Sequence, residues 1–203
     1  QYRSELERVK NALFALEEQS SVATEYLSDA YAELSQATSQ LGEVQNTMSF
    51  VRGVCEVMAQ EHNEAELPAL LISWYADYFG IERYSYMVPD QRGETLAICM
   101  SRGIANSIAE KVRVRIGQGI AGWVAHNRKP LLVRSVGESG VPHTHQDNYN
   151  SDSFLAVPVV HNDVMFGVLN LSNKKDGSLF GPADLDRAML LTQWIAMSEE
   201  RMQ

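Results

Sequence analysis

Residues 153–174 constrain the fold more than any other stretch: Ser-Phe-Leu-Ala-Val-Pro-Val-Val, a polar His161-Asn162-Asp163, then Val-Met-Phe-Gly-Val-Leu-Asn-Leu-Ser-Asn-Lys. Two apolar, β-branched runs around a three-residue polar turn predict a β-hairpin. Alternation puts Leu155, Val157 and Val159 on one face of the first strand, with Phe154, Ala156 and Val160 on the other. The return strand sets Val164, Phe166 and Val168 against Met165, Leu169 and Leu171. A half-exposed strand alternates apolar with polar residues, so both faces of this hairpin are expected to be covered. Helices are expected on one side, and loops or a ligand on the other. Pro158 cannot donate to a ladder and predicts a local irregularity.

The first quarter of the chain follows another period. Leu6, Leu13, Ser20, Leu27, Leu34, Leu41, Met48 and Cys55 recur every seven residues. Val9, Leu16, Ala23, Ala30, Ala37, Val44, Val51 and Met58 follow three residues behind them. These are the a and d positions of a heptad, with Ser20 the polar exception in the a series. Residues 1–61 are therefore expected to form a long coiled-coil helix that pairs as a homodimer. The seam includes Leu6, Leu13, Leu16, Leu27, Leu34, Leu41, Val44 and Met48. Between parallel copies, Glu5 and Lys10 attract and no facing pair repels, so parallel pairing is permitted but hardly specified. The alanines at d also suit antiparallel or four-helix packing. Roughly fifty residues at about 1.5 Å each make a rod of about 75 Å, more than a domain of this size covers. A helix folded back on its own domain is the alternative.

Composition narrows the class. Hydrophobic residues make up 45% of the 203, enough for an ordered core. No apolar run approaches the roughly 20 residues of a membrane helix, and the N-terminus has no signal-peptide core, so no membrane contact is expected. Cys55 and Cys99 sit in apolar sequence, which excludes a disulfide framework and favours a cytoplasmic location. The net charge of −9 argues against nucleic acid as a partner. Residues 1–61, with 4 Lys and Arg against 10 Asp and Glu, carry −6 of it.

Residues 64–203 read as the globular part. Pro68 opens a helix whose apolar face is Leu67, Leu70, Leu71, Trp74, Tyr75 and Tyr78, with Gly80 as its cap. Strands are predicted over 83–88 and 95–101, a short helix over 104–111, and a strand over 112–116 with Arg113 and Arg115 on its wet face. Gly117-Gln118-Gly119 then leads into a helical pattern ending before Pro130. Leu131 to Val133 is a brief strand, and residues 134–152 form a polar loop long enough to suggest a purpose. After the hairpin, Gly181-Pro182 opens a last helix with Asp184 and Asp186 in its first turn. Strands interrupted by helices and closed by an antiparallel hairpin make an α+β domain with one sheet.

Three pieces in this order resemble a GAF domain, the sensory module of bacterial signalling proteins and cyclic-nucleotide phosphodiesterases. They are Ile116-Gly117-Gln118-Gly119-Ile120-Ala121-Gly122-Trp123-Val124-Ala125, Ser153-Phe154-Leu155-Ala156-Val157-Pro158-Val159, and Phe166-Gly167-Val168-Leu169-Asn170-Leu171. The resemblance spans residues 64–202. It implies a six-stranded antiparallel sheet, helices on one face and a capped pocket on the other, and dimerisation through flanking helices. Cyclic-nucleotide-binding members carry Asn-Lys, a spacer, then Phe-x-x-x-Asp-Glu. Asn173, Lys174, Phe180 and Asp184 match, and Leu185 replaces the glutamate. A Lys174–Asp184 contact then acts as a structural clasp between the hairpin and the last helix, and the missing glutamate weakens any transfer of cyclic-nucleotide specificity.

Chemistry is sparse. GAF-like reductases of free methionine sulfoxide need clustered reactive cysteines, and Cys55 on the seam and Cys99 in a strand do not supply them. No bilin-attaching cysteine lies in the pocket region. His143, His145 and Asp147 share the long loop without the further ligands that zinc needs, so no metal site is expected and no cofactor is identified. Gly117 and Gly119 before a helix offer backbone N–H groups to an anion, or else only shape a tight turn. A ligand, small molecule or nucleotide, is expected against Ile116, Gly117, Gly119 and Ile120, with Trp123, Tyr149, Ser153, Phe154 and Tyr86 as walls and lid. The expected role is a non-enzymatic regulatory sensor and dimerisation module, with helices running at both ends toward an output domain. The alternative is a ligand-free scaffold serving dimerisation or protein–protein interaction.

Overall fold

The computed structural model describes residues 2–60, 63–134 and 153–201. Two compact units, Gln1–Arg52 and Gly53–Gln203, divide the chain inside one long helix, α1 (Tyr2–Ala59). In the first unit the heptad residues Leu6, Leu13, Leu16, Leu27, Leu34, Leu41, Val44 and Met48 stand exposed, each by more than half. A Cβ on Gly53 would lie 2.1 Å from the Trp74 ring, so only glycine lets the end of α1 seat that indole.

The globular unit is one six-stranded sheet. Its strands are β1 (Ile81–Pro89), β2 (Thr95–Arg102), β3 (Arg113–Arg115), β4 (Leu131–Val133), β5 (Phe154–His161) and β6 (Val164–Lys174). They run in the order β3-β2-β1-β6-β5-β4, and every neighbouring pair is antiparallel. The predicted hairpin is β5–β6, with β6 paired to β1 at the centre. Helices α2 (Leu67–Tyr78) and α5 (Pro182–Glu200) pack on one face, each with proline in its first turn. A short α3 (Asn106–Ala109) and α4 (Gly119–Asn127) lie on the other. Of the face expected on α2, Leu71 and Tyr75 are buried while Leu70 and Tyr78 stay exposed.

Two details of the hairpin differ from the sequence reading. His161 pairs with Val164, so the turn is two residues, Asn162 and Asp163, both with positive φ. Such a turn matches the twist of the flanking strands, and short polar side chains tolerate the left-handed region. Further along, Val159 pairs with Gly167 and Val160 with Met165, which leaves Phe166 as an extra residue. This bulge reverses the alternation beyond it. Met165 therefore packs against the cluster of Phe154, Ala156 and Val168, not with Leu169 and Leu171. The irregularity expected from Pro158 falls beside it, beyond the three-residue reach of β4.

The Gly117–Gly122 segment makes a compact turn from β3 into α4. Gly117 and Gly119 both have positive φ, and the Gly117 N–H donates to the Gly122 carbonyl at 2.8 Å. A Cβ on Gly122 would sit 2.2 Å from the Arg115 carbonyl oxygen. Gly122→Ala pits a methyl against backbone, and the expected loss is about 1–3 kcal/mol in urea unfolding despite alanine's better helix propensity.

The far end of β6 is tied to α5. Asn173 turns through a positive φ, and Lys174 Nζ donates to Asp184 Oδ2 at 2.7 Å while lying 4.9 Å from the centre of the Phe180 ring. The same Oδ2 accepts the Gly181 N–H at 2.9 Å, which caps α5. Side-chain exposures of 12% and 14% make this a nearly dry ion pair. Breaking such a pair strands a charge. Arg187, 3.6 Å from Asp184 Oδ1, softens the damage. Lys174→Met should lower the unfolding free energy by an amount near the low end of about 3–5 kcal/mol, read as a lower urea midpoint with m unchanged.

Candidate functional site

Between the sheet and the α3–α4 side lies a cavity of about 190 Å³. Its floor is Arg83, Ser85 and Met87 of β1 with Asn170 and Ser172 of β6. Ile98, Ile104, Ile108, Val112 and Val114 line one side, and Gly119, Ile120 and Ala121 at the start of α4 line another. The floor is set by register: Arg83 faces Ser172, Ser85 faces Asn170, and Met87 faces Val168. Cross-strand partners share a face, so these three pairs form a row that passes from charged through polar to apolar.

Asn170 holds the middle of that row. It is only 9% exposed, and its Nδ2 donates to Ser85 Oγ at 3.2 Å and to the Ser85 carbonyl at 3.5 Å. Its Oδ1 is buried without a hydrogen-bond partner among the described residues. A buried, unpaired acceptor costs about 1–3 kcal/mol, which a folded domain retains for a reason.

The expected ligand residues divide. Gly119 and Ile120 line the cavity. Ile116 and Trp123 are half-buried and pack on the apolar cluster that includes Phe154. Gly117 is exposed, and its N–H, like that of Gln118, is spent within the turn, so these two amides are not available to an anion. Ser153 is buried, donating to the Val133 carbonyl and accepting from Phe180 N–H, which stitches β4 to the segment before α5. Tyr149 lies outside the described residues, as do His143, His145 and Asp147. Among the described residues no group of three or more His, Cys, Asp or Glu is placed to hold a metal.

Tyr86 is the clear correction. Being one residue from Ser85 and Met87, it projects from the opposite face, where its hydroxyl donates to Glu199 of α5 at 3.3 Å. The sequence reading weighed its aromatic ring and not its parity. The missed cavity residues carried a signal of their own, since Arg83-x-Ser85 and Asn170-x-Ser172 place polar groups at alternate positions in otherwise apolar strands. Both cysteines are exposed, against the apolar setting expected for them. Cys99 is the extra residue of a bulge in β2, opposite Tyr86 and Met87. Desolvation of its sulfur and the nearby Glu199 push the thiol up to about 11, leaving little thiolate at neutral pH.

Burial also raises the Glu199 carboxyl above its ordinary range, only partly offset by the Tyr86 hydrogen bond. The ionised form is thus less favourable in the folded chain. This penalty is present at neutral pH and is relieved as pH falls through the raised pKa. Glu199→Gln should unfold at a higher temperature than the parent at pH 7, and the two melting curves should converge as pH drops through the usual glutamate range, about 4.

The globular architecture is shared with solved structures of low identity. The GAF domain of an Acinetobacter phosphoenolpyruvate-protein phosphotransferase is 18% identical and superposes with a TM-score of 0.64, covering 77% of this chain and 93% of that one. Residues 122 to 287 of a methyl-accepting chemotaxis protein match at 18% identity and TM-score 0.61, covering 73% and 94%. The free methionine-R-sulfoxide reductase of Neisseria meningitidis, solved with its substrate, matches at 19% identity and TM-score 0.59, covering 72% and 84%. At these identities the likeness shows the fold. No curated protein matches the chain. No helix among the described residues is long and apolar enough to cross a membrane. The family model for the GAF domain matches residues 28–198, and the chain belongs to that family.

Proposed function

We propose that this chain is a regulatory sensor and dimerisation module of a cytoplasmic signal-transduction protein. A small molecule, of which a nucleotide is the largest candidate, occupies the cavity. Its presence is transmitted through the flanking helices to an output domain outside residues 1–203. The carrying observation is a cavity whose floor sets Arg83, Ser85, Asn170 and Ser172 beneath otherwise aliphatic walls. A reductase with a bound substrate among the structural neighbours supports the fold's capacity to hold a small molecule.

Strand β1 supplies the transmission. Ser85 and Met87 touch the cavity, and Tyr86 between them reaches Glu199 on α5. A ligand that favours one setting of the floor therefore shifts the population of α5 arrangements, without any need to create a new one. Self-association rests on the α1 stripe, whose apolar residues are exposed in a single chain and would be covered by a second copy. Nucleophilic thiol chemistry at Cys99 is disfavoured by its raised pKa.

Two measurements test this reading. Sedimentation should show a dimer for the parent chain and a monomer for the double variant Leu27→Glu, Leu34→Glu; a monomeric parent overturns the dimerisation proposal. A thermal-shift screen with nucleotides and small metabolites should find a stabilising ligand, worth about 2.7 kcal/mol at a hundredfold excess over its Kd. With that ligand, spin labels at Gln40 and Gln193 should report changed distances between copies. A scaffold with no ligand, the competing reading, gives no shift with any compound.

A further inference from the structure

Among the described residues four that are not glycine have a positive φ, and three of them meet at one place: Arg128 at the end of α4, with Asn162 and Asp163 in the β5–β6 turn. We infer that this turn is a coupling joint. It takes the end of α4 through Asp163 and the last turn of α5 through His161 and Asn162, so that the setting of α4 governs how firmly α5 is docked. The inference concerns this linkage alone and does not depend on what occupies the cavity.

The first observation is on the α4 side. Arg128 caps α4 at φ 54°, ψ 31°, and its N–H donates to the Val124 carbonyl at 2.8 Å. Glycine is the usual residue in this left-handed conformation, because a Cβ is strained there. What arginine adds is reach: its Nη1 lies 3.5 Å from Asp163 Oδ1. The Asp163 side chain is 99% exposed, so the pair is screened by water and its effect is small. A strained cap residue whose side chain extends to the neighbouring turn is the mark of a link.

The second is on the α5 side. Asn162 Nδ2 donates to Glu200 Oε1 at 2.9 Å, and His161 Nε2 lies 3.2 Å from Glu200 Oε2. Both oxygens of that carboxylate are engaged by the turn. An imidazole can donate its Nε2–H whether neutral or charged, so the hold does not wait on a proton. A two-residue turn with both residues left-handed has little freedom of its own. His161, Asn162 and Asp163 therefore move as one piece, and a shift at Asp163 is felt at Glu200.

The third is the balance within the last turn of α5. Successive helical residues point about 100° apart, so Glu199 and Glu200 face different neighbours. Glu199 accepts from Tyr86 of β1 and lies near Cys99 of β2, and burial disfavours its ionised form. One carboxylate is drawn toward water while the next is held by the hairpin. Such a segment opens locally at small cost, and its docked and released settings are the two states that a joint can bias.

The test is amide hydrogen exchange on the intact chain, comparing residues 197–200 with residues 188–192 of the same helix. Asn162→Gly removes the side-chain donor and keeps a residue suited to positive φ, so the turn persists. It should speed exchange at 197–200 by about fivefold. Arg128→Gly should speed it by about two- to threefold, although the polar partners of Arg128, Val124 and Asp163, lie outside α5. Its melting temperature should not fall, because glycine relieves the cap. Arg128→Lys, which keeps the charge, should exchange as the parent does. The double variant should exchange no faster than Asn162→Gly alone, because the two links act in series. Parent-like exchange in Arg128→Gly, or additive effects in the double variant, overturns the joint. So does an equal rise at 188–192, which would mean that the whole helix has loosened.

Discussion

The pairing of β1 with β6 is the constraint on which the rest of this domain depends. These strands lie at the centre of the sheet, so each must satisfy two neighbours and present two buried faces. One face is mostly apolar where α2 and α5 cover it, with Leu169 and Leu171 of β6 beside Tyr84 and Tyr86. The other carries Arg83, Ser85, Asn170 and Ser172 in the same registers. Buried polar groups destabilise a core unless they are paired or serve a ligand. The domain tolerates them on one face because the opposite face and the β5–β6 hairpin supply an uninterrupted apolar core.

Both faces are read by the same backbone, which makes the strand a mechanical link. Adjacent residues of β1 project to opposite sides, so Ser85 and Met87 meet the cavity while Tyr86 meets Glu199. At the other end of the sheet Lys174 joins β6 to the cap of α5 through Asp184. At its turn, His161 Nε2 lies 3.2 Å from Glu200, and Asn162 donates to the same carboxylate at 2.9 Å. The last helix is thus held at both ends by the hairpin, and by β1 near its C-terminus.

Bulges decide which residues reach which face. Phe166 in β6 and Cys99 in β2 are each an extra residue against their partner strand, and alternation reverses beyond both. Met165 thereby joins the cluster beneath α4. Cys99 is drawn to the side of Tyr86 and Glu199, where its thiol is held protonated. Neither displacement has a local sequence signature, because a bulge arises from matching two strand lengths and not from the residues of one.

The strength of local patterns accounts for what was legible beforehand. The apolar runs of 153–174 required a buried hairpin, heptad spacing required a long helix, and Gly117 and Gly119 required a sharp entry into α4, since each acts over a few residues. The match of Lys174 and Asp184 to a family motif likewise foretold their contact. The cavity floor was not legible in this way. Arg83 and Ser172 are neighbours only because β1 and β6 pair in one register, and a shift of one residue would have placed Tyr84 and Tyr86 there instead. Composition and periodicity therefore determined the elements and their apolar sides. Cross-strand register, a property of chain segments more than eighty residues apart, decided which polar groups share the cavity and which face Tyr86 serves.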